Sequence, residues 1–520
     1  MRTNRAWPAV AAVSVALVAG SSTLAGTNDE VQAPPPTTLP LVVQTRSIDV
    51  NGRTARILHV RTKDGKESVR ARRGERVRLE LVNLTPLPVT LHPHGVLLPN
   101  AQDGVPYVTQ LPVPPGGRFL YDFTPTQEGS YFLHSHFGWE IQDQLVIPFI
   151  IEDAAPADGV GAARDAASNG AKGKAAAESA APKDVVFVLT DFLFDSPPKV
   201  FERLRAPKTE SGGGDAMGDH RDGGAAMKPD LVDVAYDAVL ANGRTIKSMQ
   251  IVRVSPSSTV RLRLINASSA SNFRVDLGTL KGRAIEVDGE PIEPVEMSTV
   301  ELGIAQRVDL LVDLPSDFQA QPIVAQAEGT TLHAAIDLAG RRSSGISVKP
   351  NADEPIGAIG VGYEQERKFR ALNPLPKRPV DRTHVITLDG AMNGYRWSLN
   401  GMEWPKGPRL PVKEGERVEL VFQNKTMMSH PMHLHGHRFQ VTEIDGTPID
   451  GAVRDTILVM PKSTVKVQFD ADAPGLWMMH CHITWHEAAG MLGIVEYEGY
   501  PKPEWYLQKD TFNEPSSLPR

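Results

Sequence analysis

Gly74-Glu-Arg-Val-Arg-Leu-Glu-Leu-Val-Asn-Leu-Thr85 returns late in the chain as Gly415-Glu-Arg-Val-Glu-Leu-Val-Phe-Gln-Asn-Lys-Thr426. From Arg76 to Leu81 charged and apolar residues alternate, the period of a strand with one face in a core and the other toward water. At the same offset His92, His94 and Gly95 fall on His433, His435 and Gly436. Farther on, Phe123 to Gly129 followed by His134-Ser-His136 matches Phe469 to Gly475 followed by His480-Cys-His482. A third copy is degraded: Val260-Arg-Leu-Arg-Leu-Ile-Asn266 parallels Val77 to Asn83, but Val275 and Leu277 stand where His92 and His94 stand. The chain therefore reads as three homologous β-domains, the middle one without histidine pairs.

The rest of the chain fits that division. At 520 residues there is length for roughly three domains, and 42 prolines with 44 glycines suit short strands and many turns. Residues 1–26 have basic Arg2 and Arg5, an apolar run and then small residues, the layout of a secretory signal peptide, and no later stretch has the length of a membrane span. The first β-domain is expected over 40–152, an Ala/Gly-rich linker over 153–182, the second domain over 183–355 and the third over 380–505. Within the second, a polar Gly/Asp/Met loop is expected over 206–230, holding Met217, His220 and Met227. The net charge of −7 becomes more negative once Arg2 and Arg5 are removed, which argues against nucleic acid as a partner. An exported chain with a single cysteine has no intramolecular disulfide, so burial or a metal must protect the thiol.

That cysteine lies in His480-Cys481-His482-Ile-Thr-Trp-His486-Glu487-Ala-Ala-Gly-Met491. On a strand, His480 and His482 point one way and Cys481 the other, so the thiolate can ligate one metal while its neighbours ligate another behind it. Cys481, His486 and Met491 supply a thiolate, an imidazole and a weak axial thioether of a blue-copper centre, and His430 supplies the second imidazole. In the first domain Val89, Ser135, Glu140 and Leu145 hold the positions of His430, Cys481, His486 and Met491, so only the last domain can form this centre. The pairs His92/His94, His134/His136, His433/His435 and His480/His482 are too many imidazoles for one ion and suit a cluster of three. His59, His220, His333, His384 and His437 lack such partners and read as structural or surface residues.

With His92-Pro-His-Gly95, His134-Ser-His136, His430-Pro-Met-His-Leu-His-Gly436 and the Cys481 stretch in place, the chain resembles bacterial three-domain multicopper oxidases of the laccase-like and copper-resistance kind over about residues 45–500. The resemblance implies an all-β fold of three cupredoxin-like Greek-key β-sandwich domains and four copper ions, one type 1, one type 2 and two type 3. It implies that His430, Cys481, His486 and Met491 hold the type 1 copper, and His92 and His433 the type 2. His94, His134, His136, His435, His480 and His482 would share the type 3 pair. It further implies that Asp103 and Glu487 deliver the protons that turn dioxygen into water. Pro93 and Leu133 depart from residues common in the family at those places, but neither removes a ligand.

The expected partners are dioxygen and a small reducing substrate, cuprous ion or a phenol, with the protein periplasmic or secreted, favoured as a monomer and not inserted in a membrane. Cuprous ion is preferred because Met217, His220 and Met227 make a thin version of the Met-rich insertions of copper-tolerance oxidases, and soft thioethers suit it. A general laccase without a copper-tolerance role is the alternative. A copper buffer has no use for a cysteine flanked by cluster histidines, a descendant that had lost copper would not fill every ligand position, and a copper nitrite reductase would leave the type 3 histidines unexplained.

Overall fold

Each copy of the repeat sits at the centre of a sheet, and the same side chain closes the end of that strand in every copy. In the computed structural model, which describes residues 38–153, 181–206, 230–510, 512 and 517–518, the strand Val77–Asn83 lies parallel to Thr38–Val50 and antiparallel to Arg118–Phe123. Thr259–Asn266 repeats this between Lys183–Phe192 and Arg307–Asp313, and Arg417–Asn424 between Arg382–Ala391 and Thr464–Asp470. At the end of each central strand is a buried asparagine. Asn83 donates from Nδ2 to the carbonyls of Leu87 (2.7 Å) and Val113 (2.9 Å), Asn266 to Ser271 and Leu302, and Asn424 to Met428 and Val459. Its Oδ1 accepts the amide two residues on, from Thr85, Ser268 or Thr426. A short amide that satisfies three buried backbone groups fixes the corner where the chain leaves one sheet.

The architecture is all-β, with two sheets from each copy in cupredoxin-like sandwiches. The sheets have four and four strands around the first copy, six and five around the second, and seven and five around the third. Among the described residues the α-helices are α1 (Pro197–Arg205) and α2 (Thr484–Ala489). The expected signal peptide, the 154–180 part of the expected linker over 153–182 and the 207–229 part of the expected loop lie outside the described residues. No helix among the described residues is long and apolar enough to cross a membrane.

What positions the functional side chains is the second sheet of the first and third copies. His92–His94 pairs antiparallel with Gly129–His134, with His92 opposite His134. His430–Leu434 pairs in the same way with Leu476–Cys481, with His433 opposite His480 and Met432 opposite Cys481. Both copies thus bring their two histidine pairs side by side, and one continuous apolar cluster, which includes Cys481 and Met491, runs through both copies. The middle copy has a separate core built on Val260, Leu262, Leu264, Val275 and Leu277. Residues at histidine positions elsewhere are packing residues here.

Candidate metal centre

Two clusters of donor atoms lie back to back across the strand end at Cys481. In the first, Cys481 Sγ is 3.6 Å from His430 Nδ1 and 3.6 Å from His486 Nδ1, and the two nitrogens are 3.2 Å apart. The circumradius of that triangle, the product of its sides over four times its area, is about 2.0 Å, the length of an imidazole–metal bond. All three residues are fully buried. Burial pushes the Cys481 thiol well above its usual range and the His430 imidazole well below its own. A thiolate at this depth therefore needs a cation, and the neutral imidazole is the form that binds one.

Local chain geometry brings Met491 back to this triangle. Strand Leu476–Cys481 ends at the cysteine, α2 turns once, and Gly490 closes it with φ 120°. A Cβ at Gly490 would crowd Glu403 and the Trp397 carbonyl, so glycine is required on both counts. The Met491 amide then donates to the His486 carbonyl (3.0 Å) and its carbonyl accepts from the Cys481 amide (3.1 Å). Met491 is fully buried there. Outside the triangle, His430 Nε2 is hydrogen-bonded to Thr426 Oγ1 (2.8 Å), and Trp397 stacks on His486 at 3.9 Å.

The second cluster contains the eight paired histidines, all buried. His92 stacks on His435 at 3.9 Å and His94 on His433 at 3.8 Å, so rings of the first and last copies interleave. Nearly every ring gives one nitrogen to the protein and turns the other inward. His92 Nδ1 donates to the Asp103 carbonyl (2.7 Å), His134 Nδ1 to the Ser135 carbonyl (3.1 Å), His433 Nδ1 to the Asp455 carbonyl (2.9 Å) and His480 Nδ1 to the Cys481 carbonyl (3.1 Å). Carboxylates take the outer nitrogens of His435 (Asp103 Oδ2, 2.9 Å), His136 (Glu487 Oε1, 3.3 Å) and His94 (Asp455 Oδ1, 3.2 Å). His92 Nε2, His94 Nδ1, His134 Nε2, His136 Nε2, His433 Nε2 and both nitrogens of His482 are buried with no hydrogen-bond partner. His435 Nε2 and His480 Nε2 meet each other at 3.2 Å.

So many unpartnered buried imidazole nitrogens facing one another would be costly unless something accepts their lone pairs. Burial pushes His94, His134, His433, His435 and His482 well below the usual imidazole range and His136 down to about 4, so these six rings are neutral bases. The rings sort into overlapping sets whose donor atoms lie within 4.8 Å of one another: His92/His94/His433, His94/His134/His482, His136/His435/His480 and His92/His134/His136. A group of several first-row metal ions fits this donor set, and the outer hydrogen bonds fix which nitrogen each ring offers.

Both acids singled out in the sequence lie against the cluster. Asp103 is 1% exposed and spans His92 and His435, joining the first and last copies. Glu487 reaches His136 and, at 3.5 Å, His480. Burial would raise the Glu487 carboxyl, but His480 and His136 hold it below the usual carboxylate range. Two further acids were not legible in the sequence. Asp233, from the middle copy, accepts from His486 Nε2 (2.7 Å) and from the Tyr395 hydroxyl (2.6 Å). Asp455 holds His94 and His433. Neither lies in a histidine motif, and Asp233 is 253 residues from its partner.

In the first copy, Ser135 donates through its hydroxyl to Glu140 where the last copy has Cys481 and His486, with Val89 and Leu145 buried around them. A protonated acid suits the site, since burial pushes Glu140 well above its usual range. Of the remaining histidines, His437 is buried and bonded to the Tyr497 hydroxyl (2.7 Å), His59, His333 and His384 lie apart from both clusters, and His220 is outside the described residues.

Three multicopper oxidase family profiles match residues 43–156, 184–340 and 377–499. The chain is 30% identical to multicopper oxidase MmcO of Mycobacterium tuberculosis over 437 residues, covering 82% of this chain and 81% of that protein. It is 25% identical to a copper resistance protein A homolog of Pseudomonas syringae pv. tomato, over 83% of this chain and 87% of the other. Among solved structures it is similar in fold to Fet3p, a multicopper oxidase that functions in iron import, with a TM-score of 0.69 and 17% identity over 92% of this chain and 94% of that one. The laccase of Botrytis aclada aligns with a TM-score of 0.67 and 21% identity, over 91% of this chain and 90% of the other.

Proposed function

The chain belongs to the multicopper oxidase family, and from that premise we propose that it is an exported oxidase that couples one-electron oxidation of a small reductant to the four-electron reduction of dioxygen to water. One observation carries the reading. Cys481 belongs to the triangle with His430 and His486, while the residues on either side of it, His480 and His482, belong to the eight-histidine cluster. Two centres are thus joined by a few covalent bonds, as transfer of single electrons to a site of dioxygen reduction requires.

In this reading His430, Cys481, His486 and Met491 would hold the type 1 copper. His92 and His433 would hold the type 2 copper, and the sets His94/His134/His482 and His136/His435/His480 the type 3 pair. Copper, when bound, supplies the one-electron redox chemistry and the reduction of dioxygen. The chain's own residues do the rest. Asp103 and Glu487 orient His92, His435, His136 and His480 through their outer nitrogens and pass protons inward. Glu487 borders a small cavity lined also by His134, His136, His482 and Phe512, where a water can reload it. The three β-domains divide the work: 40–152 and 380–505 each give half of the cluster, the latter also the type 1 site, and 183–355 gives no ligand.

The reductant docks at a cavity of about 540 Å³ bordered by Leu193, Phe194, Arg203, Asp233, Met392 and Tyr395, where Asp233 leads directly to His486 Nε2. The relatives' names point to several reductants: copper resistance, iron transport and laccase. Cuprous ion remains the preferred substrate, with phenols oxidised as well. Export to the periplasm or medium rests on the pattern of residues 1–26. Oxygen uptake by copper-loaded protein, compared across cuprous ion, a phenol and ferrous ion, tests the reading. Copper binding with no uptake from any of them would leave a copper carrier instead.

A further inference from the structure

We propose that Arg307, in the middle domain, is a positioning residue for the trinuclear centre: it clamps Asp455, which holds one ring of the first domain and one of the last in register. The inference rests on the assignment of His94 and His433 to that centre. Arg307 is fully buried and all five of its N–H groups are used. Nη1 and Nη2 grip the two oxygens of Asp455 as a fork, at 2.8 and 2.6 Å. The other donors go to the carbonyls of Ser130 (3.0 Å), Asp288 (2.9 Å) and Ala305 (3.2 Å). Ser130 lies on the strand that ends at His134, so the guanidinium touches the backbones of the first and middle domains and the side chain of a residue in the third.

Asp455 is the point where this grip reaches the cluster. Its Oδ1 is 3.2 Å from His94 Nε2 and its carbonyl accepts from His433 Nδ1. Thr456 Oγ1 donates to Asp455 Oδ1 (2.8 Å) and lies 3.1 Å from His433 Nδ1. These are the two rings that stack at 3.8 Å across the domain junction. Behind the pair, Asp288 Oδ2 accepts from Arg454 (3.0 Å), which also binds Glu366, so the charges alternate through the buried junction. There is no slack in front of it: a Cβ at Gly95, directly after His94, would collide with the Asp455 carboxylate and the Arg307 guanidinium.

A buried ion pair is a poor way to add stability, because its desolvation cost offsets most of the attraction. It is a good way to fix orientation, since a fork on both carboxylate oxygens leaves Asp455 a single pose. Carboxylates on the outer nitrogens of ligand imidazoles set tautomer and ring direction, and their loss costs about 10- to 100-fold in metal affinity. The middle domain, without ligands of its own, thereby acts on the cluster from behind.

The test compares wild type, Arg307→Met, Arg307→Lys and Asp455→Asn, all copper-loaded. Three quantities are read: type 1 visible absorption, the electron paramagnetic resonance signal of the trinuclear centre, and copper retained against a chelator. The type 1 absorption should be unchanged, because Thr426, Asp233 and Trp397 surround that site and Arg307 does not. Copper of the trinuclear centre, above all the ion held by His94, should be released at about 10- to 100-fold lower chelator concentration in Arg307→Met and Asp455→Asn, with an altered signal, and Arg307→Lys should recover part of the loss. If Arg307→Met does not fold, the near-isosteric Asp455→Asn decides alone. Wild-type retention and signal in Asp455→Asn would overturn the positioning role, as would equal loss from both centres alongside a lower Tm. A wild-type protein without either copper signal would instead overturn the multicopper assignment on which the proposal stands.

Discussion

Asp233→Asn should raise the reduction potential of the type 1 centre while leaving its colour. The carboxylate is almost fully buried, and one oxygen accepts both from His486 Nε2 at 2.7 Å and from Tyr395 at 2.6 Å. Positive charge on the ligand ring is greater in the oxidised state, so an anion at Nε2 favours that state. An asparagine keeps the shape and an acceptor oxygen but not the charge. A hydrogen bond to a charged group contributes about 1.5–3 kcal/mol and a neutral one about 0.5–1.5 kcal/mol, a difference of roughly 1–1.5 kcal/mol. Only the part of this that differs between the oxidised and reduced centres moves the potential, so at about 59 mV per 1.4 kcal/mol for one electron the rise should be up to roughly 40–65 mV. Redox titration of the visible band measures it directly. A downward shift, or one under about 10 mV, would refute the argument that Asp233 acts on the centre through His486.

Cys481→Ser should abolish the strong visible absorption of the thiolate–copper bond and substrate oxidation with it; a mutant that stays blue removes the cysteine from the site. Glu487→Gln should slow reoxidation of the reduced protein by dioxygen while leaving the blue site reducible, because the amide keeps the shape but relays no proton; stopped-flow reoxidation at the wild-type rate would make the residue structural only. Stability of the copper-free protein should fall on acidification. His136 and His59 are lowered from 6.5 to about 4 by burial, so the unfolded chain takes up protons first, and stability that is full above about 6.5 is lost as pH falls toward 4. Glu286 and Glu328, raised to about 7 by burial, and the other acids that burial raises, Glu140, Asp191, Asp288 and Glu290 among them, pull the other way and make the fall shallower. Thermal melts from pH 7 to 5 that showed no decrease in Tm would contradict this.

The copper-ligand candidates were legible because they sit on strands in a repeat. A period of two put His92 and His94, or His433 and His435, on one face, and the repeat register showed that the same strands pair in both copies. Asp103, nine residues after His94, and Glu487, directly after His486, were singled out through the family resemblance. The repeated asparagine at positions 83, 266 and 424 was visible as a match, but its role as a corner emerges only from its carbonyl partners. Asp233, Arg307 and Asp455 were not legible. Their contacts span 253 residues for Asp233–His486 and 148 for Arg307–Asp455, and each lies in a stretch that reads as ordinary strand or loop. Burial of a charge is decided by domain docking, which leaves no periodic mark on a single chain.

The most direct measurement is the balance of reductant and oxygen in copper-loaded protein, followed with an oxygen electrode and a peroxide assay. Four equivalents of a one-electron donor should be oxidised per dioxygen consumed, with no hydrogen peroxide released. Two equivalents per dioxygen with accumulating peroxide, or donor oxidation without oxygen uptake, would contradict the account.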